Sequence, residues 1–372
     1  MPERTARPAS PLDVLILARD EAEVLGGTLR LLAGLPGRPA AIHVVADHCM
    51  DQTARVAAEA GAHLHVREGP GPIGKGPALS WWLAATRAAS DPSGWVVVLD
   101  ADSRPAHDFF PQLSAALAAE ADAVQARLEP ALEAPTVLAE LAAFSEIVEQ
   151  QVYDRLRTRL GWPIRLRGTG MAIRRAALET VAGRLRTAVE DVELTLLLAA
   201  AGRRLRLAPR AVVHDPKPGL SGPAARQRAR WLRGLAEVPA AHPGAHARLV
   251  ARGPAGWSLL SSVLLKPRSL FLPLKVALAA AGWALWAGDG GAWALAGAVL
   301  FTAAAGLEAL GFLAGLRYTP RRGAVARALL AAPLYLVLWV RSAALALVTR
   351  EGWLRARPSG EPAPDGEGAR DA

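Results

Sequence analysis

Two acids two residues apart, Asp100 and Asp102 in WVVVLDADSRP, stand where a run of apolar residues gives out. On an extended backbone, side chains at i and i+2 leave on the same side, so like charges are held together. Such a pair either meets solvent in a turn or shares a cation. A divalent ion can take oxygen from both acids and from two phosphates, which cancels the repulsion. Asp47 closes a second apolar run, AIHVVAD, and is a ligand candidate for the same reason. Asp51, four residues on, reads as an Asx turn followed by a helix cap. VEDVEL puts Glu190 and Asp191 at the start of a helical run. An acid there serves as a cap or, in a cleft, as a general base. RQRARW places Gln227 and Trp231 as i, i+4 neighbours with Arg230 beside them. An indole offers a flat face to a sugar and a guanidinium pairs with phosphate. The same residues also suit the headgroup level of a membrane.

EGPGPIGKGPALS carries Gly69, Gly74 and Lys75 at the spacing of a phosphate-binding G-x-x-x-x-G-K loop. The residue after Lys75 is Gly76, so the hydroxyl that would hold Mg²⁺ is missing. Two prolines also remove amide donors from the cradle. A membrane-attached P-loop NTPase is therefore the weaker reading. Lys75 meets either a diphosphate or solvent.

These residues need a scaffold that gathers strand ends. LDVLILA, AIHVVAD, HLHV and WVVVLDAD read as strands, and helical spacing fills the segments between them. Strands alternating with helices predict a parallel sheet with helices on both faces. Ligands of such sheets bind at the carboxyl ends of the strands, where Asp47, Asp100 and Asp102 fall. A helical stretch over 136–159 follows, then a Gly-rich turn, RGTGMAIRR, then a helix running into a strand across AVEDVELTLLLAAAGRRLRLAP.

The chain has 372 residues, of which 52% are hydrophobic, and a net charge of +9. Basic chains bind nucleic acid, anionic lipid or anionic substrates. No compact Lys/Arg block with interleaved aromatics is present, which argues against nucleic acid. The single cysteine, Cys49, excludes an intramolecular disulfide and suits a reducing compartment. The first twenty residues contain no long apolar run, so no signal peptide is expected and the front domain is expected in the cytoplasm. Charges become sparse after residue 257. Segments 271–288, 292–316 and 328–348 each approach the ~20 apolar residues that span a bilayer. The stretch before them can lie at the interface, with Lys266, Arg268 and Lys275 toward headgroups. Glu308 is costly inside a span unless it faces protein or snorkels. The expected organisation is a leader over 1–10, a catalytic domain over 11–240, interfacial and transmembrane helices over 241–350, and a disordered tail over 351–372.

The order of these motifs resembles the family-2 glycosyltransferases, in particular the membrane-attached branch that includes cellulose, chitin and hyaluronan synthases. The resemblance rests on LARDEAEVL, VVADHCMDQTA, GKGPALS, LDADS, GTGMAI, VEDVEL and QRARW, in the family's order and followed by membrane helices. It implies an α/β, GT-A-like (Rossmann-like) nucleotide-sugar-binding domain and an inverting transfer that uses Mg²⁺ or Mn²⁺. By this resemblance Asp47 lies in the nucleotide pocket, walled by Arg19 and Glu21. Asp100 lies near the diphosphate, Asp102 is the metal ligand and Asp191 is the catalytic base. Gln227, Arg230 and Trp231 match the Q-x-x-R-W motif that serves the diphosphate and the acceptor. Gly168, Thr169 and Gly170 form the acceptor-side turn, with Glu190 nearby. The implied partners are a nucleotide-sugar donor, UDP-sugar being the usual one, a saccharide or lipid-linked acceptor, and membrane lipids. The implied location is the inner membrane, multi-pass, with the catalytic domain cytoplasmic. A non-catalytic scaffold that kept the fold is the other alternative, which the intact acids oppose. The sequence departs from the family's usual pattern at Asp20, where Asn is more common, and lacks the Thr common before Glu190 and Asp191.

Overall fold

The computed structural model describes residues 11–89, 91–118, 120–132, 136–217, 222–264, 268–330 and 337. Eight strands form one sheet among them: β1 (Leu12–Ala18), β2 (Ala41–Asp47), β3 (His63–Arg67), β4 (Trp95–Leu99), β5 (Arg104–Pro105), β6 (Ala123–Leu132), β7 (Met171–Arg174) and β8 (Leu205–Lys217), in the order β3-β2-β1-β4-β7-β6-β8-β5. The four strands read from the sequence are mutually parallel where they pair. The expectation of a parallel sheet fails beyond β4. Strand β7 runs antiparallel to both β4 and β6, while β6 and β8 are parallel. Gly168 and Gly170, directly before β7, take φ +79 and +64, a region that glycine enters without steric cost. The chain reaches MAIR from β6 through the helical stretch over 136–159 and inserts it between β4 and β6. Strand β6, AVQARLEPAL, has few β-branched residues and gives little strand signal. Its pairing with β8, interrupted by a register shift at Ala126/Arg127, holds it in place.

On the helical side, α1 (Ala22–Gly34) and α2 (Thr53–Glu59) follow β1 and β2, and α3 (Lys75–Thr86) follows β3. Helix α4 (Phe109–Leu117) precedes β6. The predicted long helix is α5 (Val137–Val148), a π-helical stretch (Glu149–Asp154) and α6 (Arg155–Arg159) in succession. Then come α7 (Arg175–Glu179), α8 (Glu190–Ala200), α9 (Gly222–Ala241), α10 (Pro243–Val250), α11 (Pro254–Leu264), α12 (Arg268–Ala287), α13 (Gly291–Gly315) and α14 (Arg322–Leu330).

Period-two alternation sorts the strand side chains into two cores. Leu15, Leu17, Val96, Val98 and Ile173 join Trp82 of α3 and the leucines of α8 on one face. Val14, Ile16, Val97 and Leu99 join Leu25 of α1 and Phe110 of α4 on the other. Burying each such side chain stabilises by roughly 1.5–3 kcal/mol before entropy is counted. Both faces being covered, the strands read as continuous apolar runs.

Helices α10 and α11 extend the first core, through Ala245, Leu249, Leu259, Leu260 and Val263. The apolar side of the segment expected at the membrane interface is thus packed on protein. Helices α12 and α13 form a hairpin in which Trp283 Nε1 donates to Thr302 Oγ1 at 3.0 Å. Lys275 does not reach outward to headgroups as expected; its ammonium pairs with Glu308 of α13, and Glu308 is buried. A charge taken from water is far less costly with such a partner, and Glu308 therefore faces protein. Among the described residues, α13 is the one helix long and apolar enough to cross a membrane; the apolar part of α12, Phe271–Ala287, is shorter. Most of the third segment, 328–348, lies outside the described residues. The hairpin docks on α5 and the π-helical stretch. Gly311 and Gly315 let α13 approach so closely that a Cβ on either would overlap Tyr153 or Val148.

Candidate active site

The carboxyl ends of β1, β2 and β4 and the amino ends of α3 and α8 converge, and the residues singled out in the sequence fall largely there. Asp100 and Asp102 do not continue an extended strand. Strand β4 stops at Leu99, and the chain turns through 101 and 102. Ser103 makes the turn: its amide donates to Asp100 O at 3.1 Å, and its hydroxyl accepts from the Asp100 amide at 3.1 Å. Thr169 Oγ1 accepts from the same amide at 3.1 Å and lies 2.7 Å from Ser103 Oγ. The 168–170 turn is thereby tied to the acid pair. Gln125 holds the other side, donating to Thr169 O at 2.9 Å and accepting from the Arg167 amide at 2.8 Å. Asp102 is half-buried in this turn.

Lys75 is the first residue of α3, and its ammonium bonds Asp100 Oδ1. The loop before it does not form a phosphate cradle. The Gly74 amide points to Asp47 Oδ2 at 3.4 Å, and Pro72 O accepts from Arg67 at 2.9 Å. Asp47 is fully buried at the end of β2. Its Oδ1 accepts from Arg67 Nη1 at 2.5 Å and lies 2.8 Å from His48 Nδ1. Among the described residues, Oδ2 carries only the long Gly74 contact, so acceptor capacity remains on that oxygen. Bonds to Gly69 O and to Asp47 push the His48 imidazole pKa above its ordinary value.

Asp51 is the turn residue the sequence suggests, and it does more than cap its own helix. Oδ1 accepts from the Thr53 amide at 2.9 Å, and Oδ2 accepts from the Ala22 amide at the start of α1 at 3.1 Å. Thr53 Oγ1 in turn accepts from the Glu21 amide at 2.8 Å. Arg19 and Glu21 are half-buried at the end of β1 beside this pair of turns. Asp20, Cys49 and Asp51 bring oxygen and sulfur atoms within 4.8 Å of one another. Asp20 Oδ1 accepts from the Met50 amide at 2.6 Å and Cys49 Sγ donates to Ala18 O at 3.5 Å, so the cluster locks the turns together.

Helix α8 opens on three acids with different employment. Glu193 is fully buried and accepts from the Arg186 and Thr187 amides at 3.0 Å, with His242 Nε2 at 2.6 Å. It is a structural group. Glu190 lies against the 168–170 turn, and a Cβ on Gly168 would sit 4.0 Å from its Oε1 and 4.0 Å from Asp191 Cβ. Burial pushes the Glu190 carboxyl up to about 7; Lys75 opposes the shift, and Asp191 and Asp100 add to it. These charges therefore share one electrostatic neighbourhood. The Asp191 side chain is 13% exposed and lies 3.5 Å from Arg165 Nη2. The Arg165 guanidinium is stacked over the Trp231 ring at 5.2 Å. Trp231 of α9 is thereby linked to Asp191 through one arginine. The side chains of Gln227 and Arg230 lie outside the described residues.

Arg165 and Arg67 escaped the sequence reading. Arg67 was within reach of it: it ends β3 as Asp47 ends β2, and the two are register partners. Arg165 gave no periodic or motif signal, because a turn in space sets it between α8 and α9.

The chain belongs to the glycosyl transferase family group 2, whose family model matches residues 95–341, well over half of its length. It is an enzyme of the glycosyltransferase class. No curated protein matches the sequence. Among solved structures, the mannosyltransferase PcManGT from Pyrobaculum calidifontis, in complex with GDP-Man and Mn²⁺, is 21% identical, with 94% of this chain and 90% of that one covered and a TM-score of 0.52. Glucosyl-3-phosphoglycerate synthase from Mycobacterium tuberculosis, in complex with Mn²⁺, UDP-glucose and phosphoglyceric acid, is also 21% identical, covering 62% of this chain and 79% of that one at a TM-score of 0.43. S. aureus TarS 1-349, in complex with UDP-GlcNAc, is 13% identical, covering 72% and 80% at 0.40. At these identities the likeness to PcManGT is one of fold.

Proposed function

We propose that the chain is a membrane-bound inverting glycosyltransferase. It moves a sugar from a nucleotide-diphospho-sugar, a UDP-sugar in the first instance, to a saccharide or lipid-linked acceptor. The observation that carries this reading is the convergence of Asp100, Lys75, Glu190 and Asp191 on the turn 168–170. Acids outnumber bases there, and their oxygens suit a hard divalent ion, Mg²⁺ or Mn²⁺. Asp102 would hold that ion, with Asp100 toward the diphosphate. A bound ion supplies charge stabilisation to the departing diphosphate.

The remaining work falls to the protein. Asp47 Oδ2 accepts from the donor's base or ribose, with Arg19 and Glu21 walling that pocket. Lys75 and Arg230 neutralise developing phosphate charge. Asp191 takes the proton of an acceptor hydroxyl as its oxygen bonds the anomeric carbon; the bond from that carbon to the diphosphate breaks, and configuration inverts. Gln227, Trp231 and the 168–170 turn seat the acceptor, and Arg165 holds Asp191 and Trp231 in register. Glu190, whose pKa burial raises to about 7, carries only part of a charge at neutral pH and so limits repulsion beside Asp191.

Membrane attachment through the α12–α13 hairpin completes the reading. Leu274, Trp293, Leu300, Leu307, Leu310 and Leu313 are each more than half exposed. So large a bare apolar surface fits lipid rather than water. With the third apolar segment, the hairpin gives a multi-pass protein with the catalytic part on the cytoplasmic side, in the synthase-like branch of the family. A donor screen tests the proposal: reconstituted protein, Mn²⁺ or Mg²⁺ and a panel of labelled UDP- and GDP-sugars. Sugar incorporation from one donor, abolished by chelation, is expected. ATP hydrolysis without incorporation from any sugar nucleotide would contradict it.

A further inference from the structure

We propose that His43, His63 and His65 form a second metal site, for a transition ion, on the face of the sheet covered by α3. The site is separate from the acid-lined edge. His43 precedes Asp47 by four residues on β2, about 13 Å along an extended strand.

The topology brings the three imidazoles together. His63 and His65 are i, i+2 on β3 and leave on one face. His43 is the register partner of His63 on β2, so its side chain shares that face. His43 Nδ1 lies 3.0 Å from His65 Nε2. The His43 ring centroid is 5.2 Å from those of His63 and His65, at interplanar angles of 33° and 35°. Two nitrogens bound to one tetrahedral zinc at ~2.0–2.1 Å sit roughly 3.3–3.4 Å apart. The His43–His65 pair, now hydrogen-bonded to each other, would have to turn both nitrogens toward the ion, while their separation changes by only a few tenths of an ångström. His63 is exposed, and its ring, 5.2 Å from that of His43 between centroids, would have to turn toward the pair to complete the site. Three imidazoles leave a fourth position for water, which is the ligand count of an open zinc site.

The surroundings favour the ligating form. Burial, with His65 and His63 adding to it, lowers the His43 pKa to about 4, and burial lowers that of His65. Neutral imidazole is what a metal binds, so no proton need be displaced from these two at neutral pH. The Trp82 ring walls the inner side, 5.2 Å from His43 and 6.5 Å from His65. Two charged groups act on the cluster. Arg175 of α7, stacked over Trp82 at 5.1 Å, opposes a cation, and its charge is partly answered by Glu179 at 3.3 Å. Asp13 of β1, a half-buried carboxyl that interacts with His63, favours one. Imidazole selects Zn²⁺, Cu²⁺ or Ni²⁺ over Mg²⁺, so the two sites would take different ions. An ion here would cross-link β2 to β3, the edge strand of the sheet, where unpaired backbone is otherwise open to association.

The test uses the full chain in detergent with millimolar Mg²⁺, which occupies oxygen sites. Co²⁺ is titrated and visible absorption recorded, because tetrahedral nitrogen-ligated Co²⁺ absorbs far more strongly than octahedral oxygen-ligated Co²⁺. The expected result is an intense band saturating at one equivalent and displaced by Zn²⁺. H63A, at an exposed position that leaves packing intact, should weaken binding at least tenfold. H63A/H65A should abolish the band while retaining Mg²⁺-dependent sugar transfer, and H107A, on another part of the surface, should change nothing. No intense band with the unaltered chain at excess Co²⁺, or a band that survives in H63A/H65A, would overturn the site.

Discussion

The sheet region and the α12–α13 hairpin use apolar side chains in opposite ways. In β1 and β4 the leucines and valines are enclosed by helices on both faces, and Leu15, Ile16 and Val97 have no solvent contact. In the hairpin, the buried side chains are small or paired, as with Ala294, Ala298 and the Lys275–Glu308 pair, while Leu300, Leu307 and Trp293 stand exposed. Water drives the first arrangement, because enclosed apolar area is removed from it. On the proposed membrane attachment the second follows as well, because lipid tails are as apolar as leucine and a helix pair among them would gain nothing by hiding leucines. The charged groups of the candidate site gather at the sheet's carboxyl edge, on the rigid, enclosed frame rather than on the hairpin.

Matched leucines sharpen this contrast most. Leu15→Ala in the core is expected to lower unfolding stability in detergent by about 2–5 kcal/mol. Leu300→Ala on the hairpin should change it by less than about 0.5 kcal/mol while weakening partition into lipid vesicles. Equal costs at the two sites would break the comparison.

Glu190 probes the edge through pH. Its folded carboxyl titrates near 7 against an ordinary 4.5. Below the ordinary value both folded and unfolded chains are protonated and no cost arises. Between about 4.5 and 7 the unfolded chain has lost a proton that the folded one keeps, so stability falls as pH rises. Glu190→Gln removes that cost. Thermal melts without metal should show the variant more stable at pH 8, by at most about 3 kcal/mol, and equal to the parent at pH 4. A larger gain at pH 4 than at pH 8 would reverse the assignment.

Gly311→Leu tests the seam between the two regions. Its Cβ would meet the Tyr153 hydroxyl, so overpacking of about 1–3 kcal/mol is expected, with loosened docking of the hairpin read as faster proteolysis between α11 and α12. Unchanged protease resistance would show that the seam is not closely packed.

Much of this was legible beforehand, and the reasons are local. The runs ending at Ala18, Asp47 and Leu99 are buried on both faces and flanked by turn residues, so their strand character and the acids gathered at their ends showed in one dimension. Glu308 could be read from its charge alone as either facing protein or snorkelling, and its pairing with Lys275 decides for the first. The antiparallel β7 could not be read, because its direction is set by its insertion between β4 and β6, which the apolar pattern does not record. The extended geometry expected at Asp100 and Asp102 gave way to a turn that depends on Ser103 and on Thr169, which is distant in sequence. Arg165 enters the candidate site only through its contacts with Asp191 and Trp231, which no spacing encodes.

The central claim is that Asp191 acts on an acceptor while the donor is held elsewhere at the same edge. Parallel measurement of nucleotide-sugar binding and single-turnover sugar transfer, for the unaltered chain and for Asp191→Asn, tests it most directly. Donor affinity should be unchanged and transfer should fall by about 10²–10⁴-fold, the usual contribution of a positioned base. Transfer at the parental rate by the variant, or equal losses in binding and transfer, would contradict the account.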